Sequence, residues 1–319
     1  MIPMTKEVEP QRRLDDPSYH SLKEVPLEED FIQQRRNRSE KTARAYQVDI
    51  NDFKIFTGIQ KSEDYRLVSP KHVADWITHL KKQKLTNETI SRKISAVSSL
   101  FKYYCGRSAL KDNPCNNITR PKVESNVGKT DAISDKEAKK LLDAPSPSTL
   151  VGLRDRAILV TFLFHGLRRS EVKDLKVNSI HYVQGIPYLK VKGKGSKTRD
   201  LPLHPFSLER INAYLEKDGR TGFLESPLFC QLRKRKDPDG NLKPLSTNMI
   251  YLIVMHYANT VGIKIENFHP HSLRATFATN ALNNHADLAK VQDYLGHAFI
   301  GTTKMYDKRT DNLADSHTF

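Results

Sequence analysis

Apolar residues recur three and four apart through the first half of this chain. Tyr46, Ile50, Phe53 and Phe56 follow Ser39, a residue suited to cap a first turn, and Gly58 stops the run, which predicts a helix. Ser69-Pro70 opens a second, with Val73, Trp76, Ile77 and Leu80 on its apolar stripe, and Thr86 a third, with Ile90, Ile94, Val97 and Phe101 facing inward. After a Pro- and Gly-punctuated stretch the pattern restarts. Ser134-Asp135-Lys136-Glu137 has the form of a capping box, residues 153–165 are largely apolar and predict a buried helix, and Gly166 ends it. Ser170 begins another helix, so Arg168 and Arg169 emerge at a rigid junction. The period then changes. Residues 186–191 and 198–203 read as strands around Gly193-Lys194-Gly195-Ser196-Lys197, which puts Lys194 near a hairpin tip. Ser246, ahead of Ile250, Ile253, Val254 and Tyr257, and then Pro270 return the chain to helices.

This pattern predicts a mainly α protein with a small β-sheet in two domains. Residues 1–38 are polar with no sustained periodicity and are expected to be a loose arm. Residues 39–120 form a helical domain, 121–132 a linker, 133–310 a larger α+β domain, and 311–319 a short tail. A length of 319 residues accommodates both cores.

Charge narrows the choice of partner. A formal net charge of +15 and an isoelectric point near 9.6 make an acidic polymer the natural one, and nothing in the chain has transmembrane length and apolarity. Double-stranded DNA is the first candidate; a ribosome-associated or merely basic protein fits the same composition. The amino terminus lacks a signal peptide's apolar centre, and Cys105, Cys115 and Cys230 have no metal-like or paired spacing. A reducing, cytoplasmic setting beside the nucleoid is expected. Ser91, Arg92 and Lys93 crowd the outer side of the third helix, as would suit a DNA backbone or an ordinary solvated face. Lys192, Lys197 and Arg199 flank the hairpin tip, where basic residues serve either a nucleic-acid contact or a soluble sheet edge. Arg233-Lys234-Arg235-Lys236 is equally open to both readings.

Candidate chemistry gathers near the carboxyl end. On the helix opened by Pro270, His271 and Arg274 are three apart and share a face, so both can address one anion. His297 follows a Gly-marked helix end, and Tyr306 comes nine residues later behind Thr302-Thr303. A phosphate grip beside a phenol points to phosphoryl transfer. No phosphate-cradling G-x-x-x-x-G-K and no paired carboxylates imply nucleotide or magnesium, and His269 and His271, two apart without a matching Cys or Asp, are a poor zinc set. No cofactor and no metal are expected.

His271-Ser272-Leu273-Arg274, Leu295-Gly296-His297 and Tyr306, preceded by Gly166-Leu167-Arg168-Arg169-Ser170-Glu171 and Val191-Lys192-Gly193-Lys194-Gly195, resemble the signature of the tyrosine recombinase (phage integrase) family. The resemblance implies a helical core-binding domain and a catalytic domain closing as a clamp on DNA, dimers on each site and tetramers in synapsis. It implies site-specific cleavage and rejoining of DNA through a 3′-phosphotyrosine on Tyr306. Arg168 and Arg274 would clamp the phosphate, His271 and His297 would add hydrogen bonds, Lys194 would protonate the leaving 5′ oxygen, and Glu171 would orient a neighbouring catalytic side chain. Ala275 stands where many members carry a histidine. Two other readings share features with this one: a type IB topoisomerase, which shares the nucleophile, and a non-catalytic helix-turn-helix reader over residues 287–306.

Overall fold

The computed structural model describes residues 27–123, 131–193, 197–233, 236–265, 268–297 and 300–307. The chain divides into two compact units, Met1–Ser125 and Asn126–Phe319.

The first unit is helical. Helices α1 (Leu27–Arg38), α2 (Glu40–Thr57), α3 (Pro70–Lys82) and α4 (Asn87–Gly106) surround a core centred on Trp76, which is fully enclosed, as a large apolar ring on an amphipathic stripe should be. Phe53 meets Trp76 edge-on at 4.9 Å and Phe101 at 6.2 Å. Ser39 caps α2 through Thr42 N–H, and Gly58 ends it at φ +77°, both where the sequence placed them.

Helix α1 departs from the expected loose arm. Leu27, Phe31 and Ile32 are buried in the core, Lys54 Nζ lies 3.0 Å from Glu28, and the Tyr65 hydroxyl donates to Glu28 at 2.8 Å. The other nine of its twelve residues are polar or charged, so its apolar periodicity is too thin to register in sequence. Tertiary burial of three anchors decides the conformation. Residues 1–26 lie outside the described ones.

The second unit is built on α6 (Leu150–His165), which follows α5 (Asp135–Asp143) and its Ser134/Glu137 capping box. Buried along most of its length, α6 packs against α8 (Pro205–Lys217) and α10 (Pro270–Asn283). Between them come α7 (Arg169–Asp174) and an antiparallel sheet in the order β1 (Ile180–Val183), β2 (Ile186–Lys192), β3 (Thr198–Pro202), with α9 (Thr247–Thr260) after α8. Strand β1 was not foreseen. Its four residues are joined to β2 by Gln184 and Gly185, both at positive φ, the geometry of a two-residue hairpin turn. In the β2–β3 pairing Val191 faces Arg199 and Leu189 faces Leu201. The last helices among the described residues are α11 (Leu288–Leu295) and α12 (Ile300–Lys304).

Gly166 shows why the α6 terminus needs this residue. It sits at φ +57°, and a Cβ there would lie 2.7 Å from Phe277 and 2.8 Å from Leu295, so neither the turn nor the close approach of α10 and α11 admits a side chain.

Candidate active site

The site forms where three short-range features meet: the α6–α7 junction, the start of α10, and the end of α11. At the junction, Arg168 is the N-cap of α7 and Glu171 Oε2 accepts its backbone N–H at 2.8 Å, so the helix begins one residue before the expected Ser170. The Arg168 guanidinium turns to Glu171 Oε1 at 2.9 Å, to Gly296 O at 3.1 Å and to Leu295 O at 3.4 Å. Its neighbour Arg169 lies over the Tyr251 ring instead, 5.4 Å from its centroid. The doublet thus separates into one arginine inside the constellation and one beside it.

Arg274, on α10, is wholly enclosed. Its Nη1 donates to Gly166 O and its Nη2 to Leu295 O, both at 2.6 Å, while its buried Nε finds no partner among the described residues. Tyr294, Leu295 and Gly296 together present three consecutive carbonyls, at a helix end where backbone acceptors are otherwise orphaned and the helix dipole is negative. Three arginines use them: Arg199 takes Tyr294 O at 2.9 Å, Arg274 and Arg168 share Leu295 O, and Arg168 takes Gly296 O.

The histidines and the tyrosine complete the group. His297 is fixed by Gln292, whose carbonyl takes its N–H and whose side chain donates to its carbonyl, each at 3.1 Å. Its Nδ1 pairs with Thr303 Oγ1 at 2.8 Å. Thr303 is fully buried, and sequence reasoning noted the threonine pair without finding this task. The Tyr306 ring stacks near His297, with centroids 6.2 Å apart, and packs among Ala275, Ala278, Leu282, Val291 and Leu295. Its hydroxyl lies 3.2 Å from His271 Nε2. Ala275 therefore leaves room for an apolar bed beneath the phenol.

The electrostatics are those of a cation pocket. Desolvation, then Arg274, His269 and Arg168, push the His271 imidazole down to about 4. Desolvation with Arg274, Arg168 and His271 takes His297 to about 3. Arg274 itself falls to about 9, first through burial and then through Arg168. Burial raises the Tyr306 phenol above its usual range, with Arg274 and Arg168 opposing it. Burial would likewise raise the Glu171 carboxyl. The hydrogen bonds and charges of Arg199 and Arg168 outweigh that and hold it below the usual carboxylate range. An enclosed, unpartnered Arg274 N–H among mutually repelling cations is a site suited to an anion.

The remaining sequence candidates are placed as follows. Lys194 lies outside the described residues; Gly193 N–H donates to Lys197 O at 2.7 Å, and Lys192 and Lys197 are exposed. Arg199 departs from the expected DNA-facing position. All three of its nitrogens are engaged, Nη1 and Nη2 each 3.0 Å from Glu171. In the first unit, Lys93 is nearly buried and pairs with Asp52 at 2.9 Å and Asp49 at 3.6 Å. Arg92 also reaches Asp49 while remaining half-exposed, and Ser91 is half-buried, so this basic face partly serves to bind α4 to α2.

Among the described residues no helix is long and apolar enough to cross a membrane. Residues 131–312 match the phage integrase family, and residues 29–107 match the phage integrase N-terminal SAM-like domain. The tyrosine recombinase XerC of Halalkalibacterium halodurans is 32% identical over 292 residues, covering 89% of this chain and 92% of its own. XerC of Bacillus licheniformis is 31% identical over 278 residues, covering 87% and 88%. Among solved structures, a lambda integrase tetramer bound to a Holliday junction shares the fold, with a TM-score of 0.68 at 17% identity over 97% of this chain and 85% of that one. With more than half its length inside that family match and its ordered arginine, histidine and tyrosine motifs converging on one pocket, the chain belongs to the phage integrase family of tyrosine recombinases.

Proposed function

We propose that this protein cleaves and rejoins DNA at a specific site, with Tyr306 as nucleophile. The observation that carries the assignment is the Tyr306 hydroxyl 3.2 Å from His271 Nε2, beside two arginines of the cation pocket. His271, neutral at physiological pH, accepts the phenolic proton as the oxygen attacks phosphorus. The bond to the 5′ oxygen breaks, Lys194 returns a proton to that oxygen, and a 3′-phosphotyrosine remains. Attack by another strand's 5′ hydroxyl reverses the sequence, so the phosphodiester energy is conserved. Arg168 and Arg274 balance charge on the non-bridging oxygens, with planar donors matched to phosphate. Arg168 is the more exposed of the two and Arg274 is enclosed. Glu171 holds Arg168. Residues 27–120, α1 included, serve as core-binding domain and 133–310 as catalytic domain. The family likeness supports dimers on each site and a tetramer in synapsis, and a place at the nucleoid is part of the same proposal.

A direct test incubates the protein with fragmented genomic DNA in a chelator, denatures it, and sequences the protein-linked ends. Covalent 3′ ends confined to one short sequence are expected, because arginines do the work a metal would otherwise do. Junctions scattered without sequence preference, with catalytic relaxation of plasmids lacking the site, would make it a topoisomerase. Absence of any covalent product would leave only a DNA reader.

The pocket also predicts proton uptake on binding. Both histidine pKa values are depressed in the folded state, so between about 3 and 6.5 the unfolded chain holds more protons, and the stability tied to these rings is present above that window and is lost as pH falls through it. A phosphate placed among them reverses the repulsion and raises both pKa values. Titration calorimetry of Tyr306→Phe with its site at pH 5.5, in buffers of differing ionisation enthalpy, should show protons taken up. Equal uptake by a variant that also carries His271→Gln and His297→Gln would reject the assignment.

A further inference from the structure

We propose that Arg199 is a positioning residue for strand cleavage, acting through Glu171 on Arg168 rather than by touching DNA. The inference rests on the reading of Arg168 as half of the phosphate clamp. Three observations carry it. Arg199 presents both terminal nitrogens to the two oxygens of Glu171, each at 3.0 Å, a fork-to-carboxylate pair. The same carboxylate takes the Arg168 backbone N–H at 2.8 Å and its guanidinium at 2.9 Å, so one buried anion fixes where the clamp arginine starts and where its head group ends. The third Arg199 nitrogen reaches Tyr294 O, one residue before the carbonyl that Arg168 and Arg274 share.

The consequence is geometric. Arg199 belongs to β3, opposite Val191 on β2, and so ties the sheet to Glu171 and to the end of α11 at once. Without it, Glu171 would keep only its two bonds from Arg168, both made within the α6–α7 junction, because no other contact among the described residues holds the carboxylate from outside that junction. The Arg168 head group would keep its charge and its bonds to Leu295 O and Gly296 O but would shift with a carboxylate no longer tied to the sheet. Small displacements of a charge-stabilising group lower rate much more than affinity. Lysine cannot substitute, since an ammonium offers no planar fork to reach two carboxylate oxygens and a carbonyl together.

The test is single-turnover cleavage of a duplex carrying the mapped site, with wild-type protein as reference. Arg199→Lys is expected to cleave about 10- to 100-fold more slowly, with unchanged Kd, unchanged salt dependence of binding and a native near-UV spectrum. Glu171→Gln should lose a similar factor. The double variant should lose no more than the worse single variant, because both act on one link. Arg199→Ala should match Arg199→Lys; if it fails to fold, the lysine and glutamine variants decide alone. Recovery of wild-type rate by Arg199→Lys, or a weaker Kd with a shallower salt slope, would make Arg199 a DNA contact and overturn the proposal. Multiplying losses in the double variant would overturn it too. Failure of the wild-type protein to form any adduct would instead strike the proposed function, so the two failures are distinguishable.

Discussion

Tyr306→Phe should form no covalent adduct with DNA while binding it as tightly as the wild type. Only one oxygen is removed. The ring keeps its stacking beside His297 and its place among Ala275, Ala278, Leu282, Val291 and Leu295, so the segment that carries it has no reason to move. The loss falls on one atom, the one within 3.2 Å of His271. Removing an attacking oxygen should lower cleavage by roughly 10⁴-fold or more, which denaturing electrophoresis of protein on end-labelled duplex would read as loss of the retarded band. Adduct at normal yield would remove Tyr306 from its role.

Arg274→Ala should have the second largest effect, and the leaving group can separate its work from that of Lys194. Arg274 holds two backbone carbonyls and faces the pocket from complete enclosure, so truncation removes charge from the non-bridging oxygens; losing one such donor costs about 10²- to 10³-fold in rate. Folding should suffer less than burial alone implies. Burial, and then the charge of Arg168, already disfavour the charged guanidinium, so deleting it relieves a desolvation cost and a repulsion as it orphans two acceptors. Replacing the bridging 5′ oxygen by sulfur creates a leaving group with a pKa many units lower, which departs without a proton. Lys194→Ala should regain most of its rate on that substrate and Arg274→Ala little. Equal responses, or rescue of Lys192→Ala instead, would show that the hairpin lysine has another role.

The catalytic motifs were legible because each lies on a short segment whose local signals are strong. Ser39, Gly58, the Ser134/Glu137 box and Gly166 mark helix ends through chemistry that acts within a few residues, and the structure uses each of them. Features that escaped depend on partners far away in sequence. Helix α1 exists because three residues find a core assembled from α2, α4 and the Tyr65 turn. Arg199 was grouped with solvent-facing cations because no local pattern shows that Glu171, twenty-eight positions earlier, waits for it. Thr303 is silent for another reason: its partner His297 lies only six residues away, but no helical or strand periodicity pairs the two. Lys93 on α4 illustrates the converse error: an apparently free basic face can be a set of interhelical ion pairs.

The row of carbonyls at the end of α11 has an evolutionary corollary. Acceptors that belong to the main chain are supplied by any amino acid, so the grip on Arg168, Arg199 and Arg274 is written in chain path, not in side-chain identity, at Tyr294 and Leu295. Point changes at those two positions answer to other demands, the His165 contact and Phe277 stacking of the Tyr294 side chain and the burial of Leu295, and can leave the carbonyls in place. An inserted or deleted residue within α11 cannot, because it would rotate every following carbonyl by about 100° and present the arginines with the wrong face of the helix. Lineages of this sequence should therefore change side chains at Tyr294 and Leu295 more readily than they change the length of that turn, while Gly296, at φ +64° and close to Arg199, stays glycine.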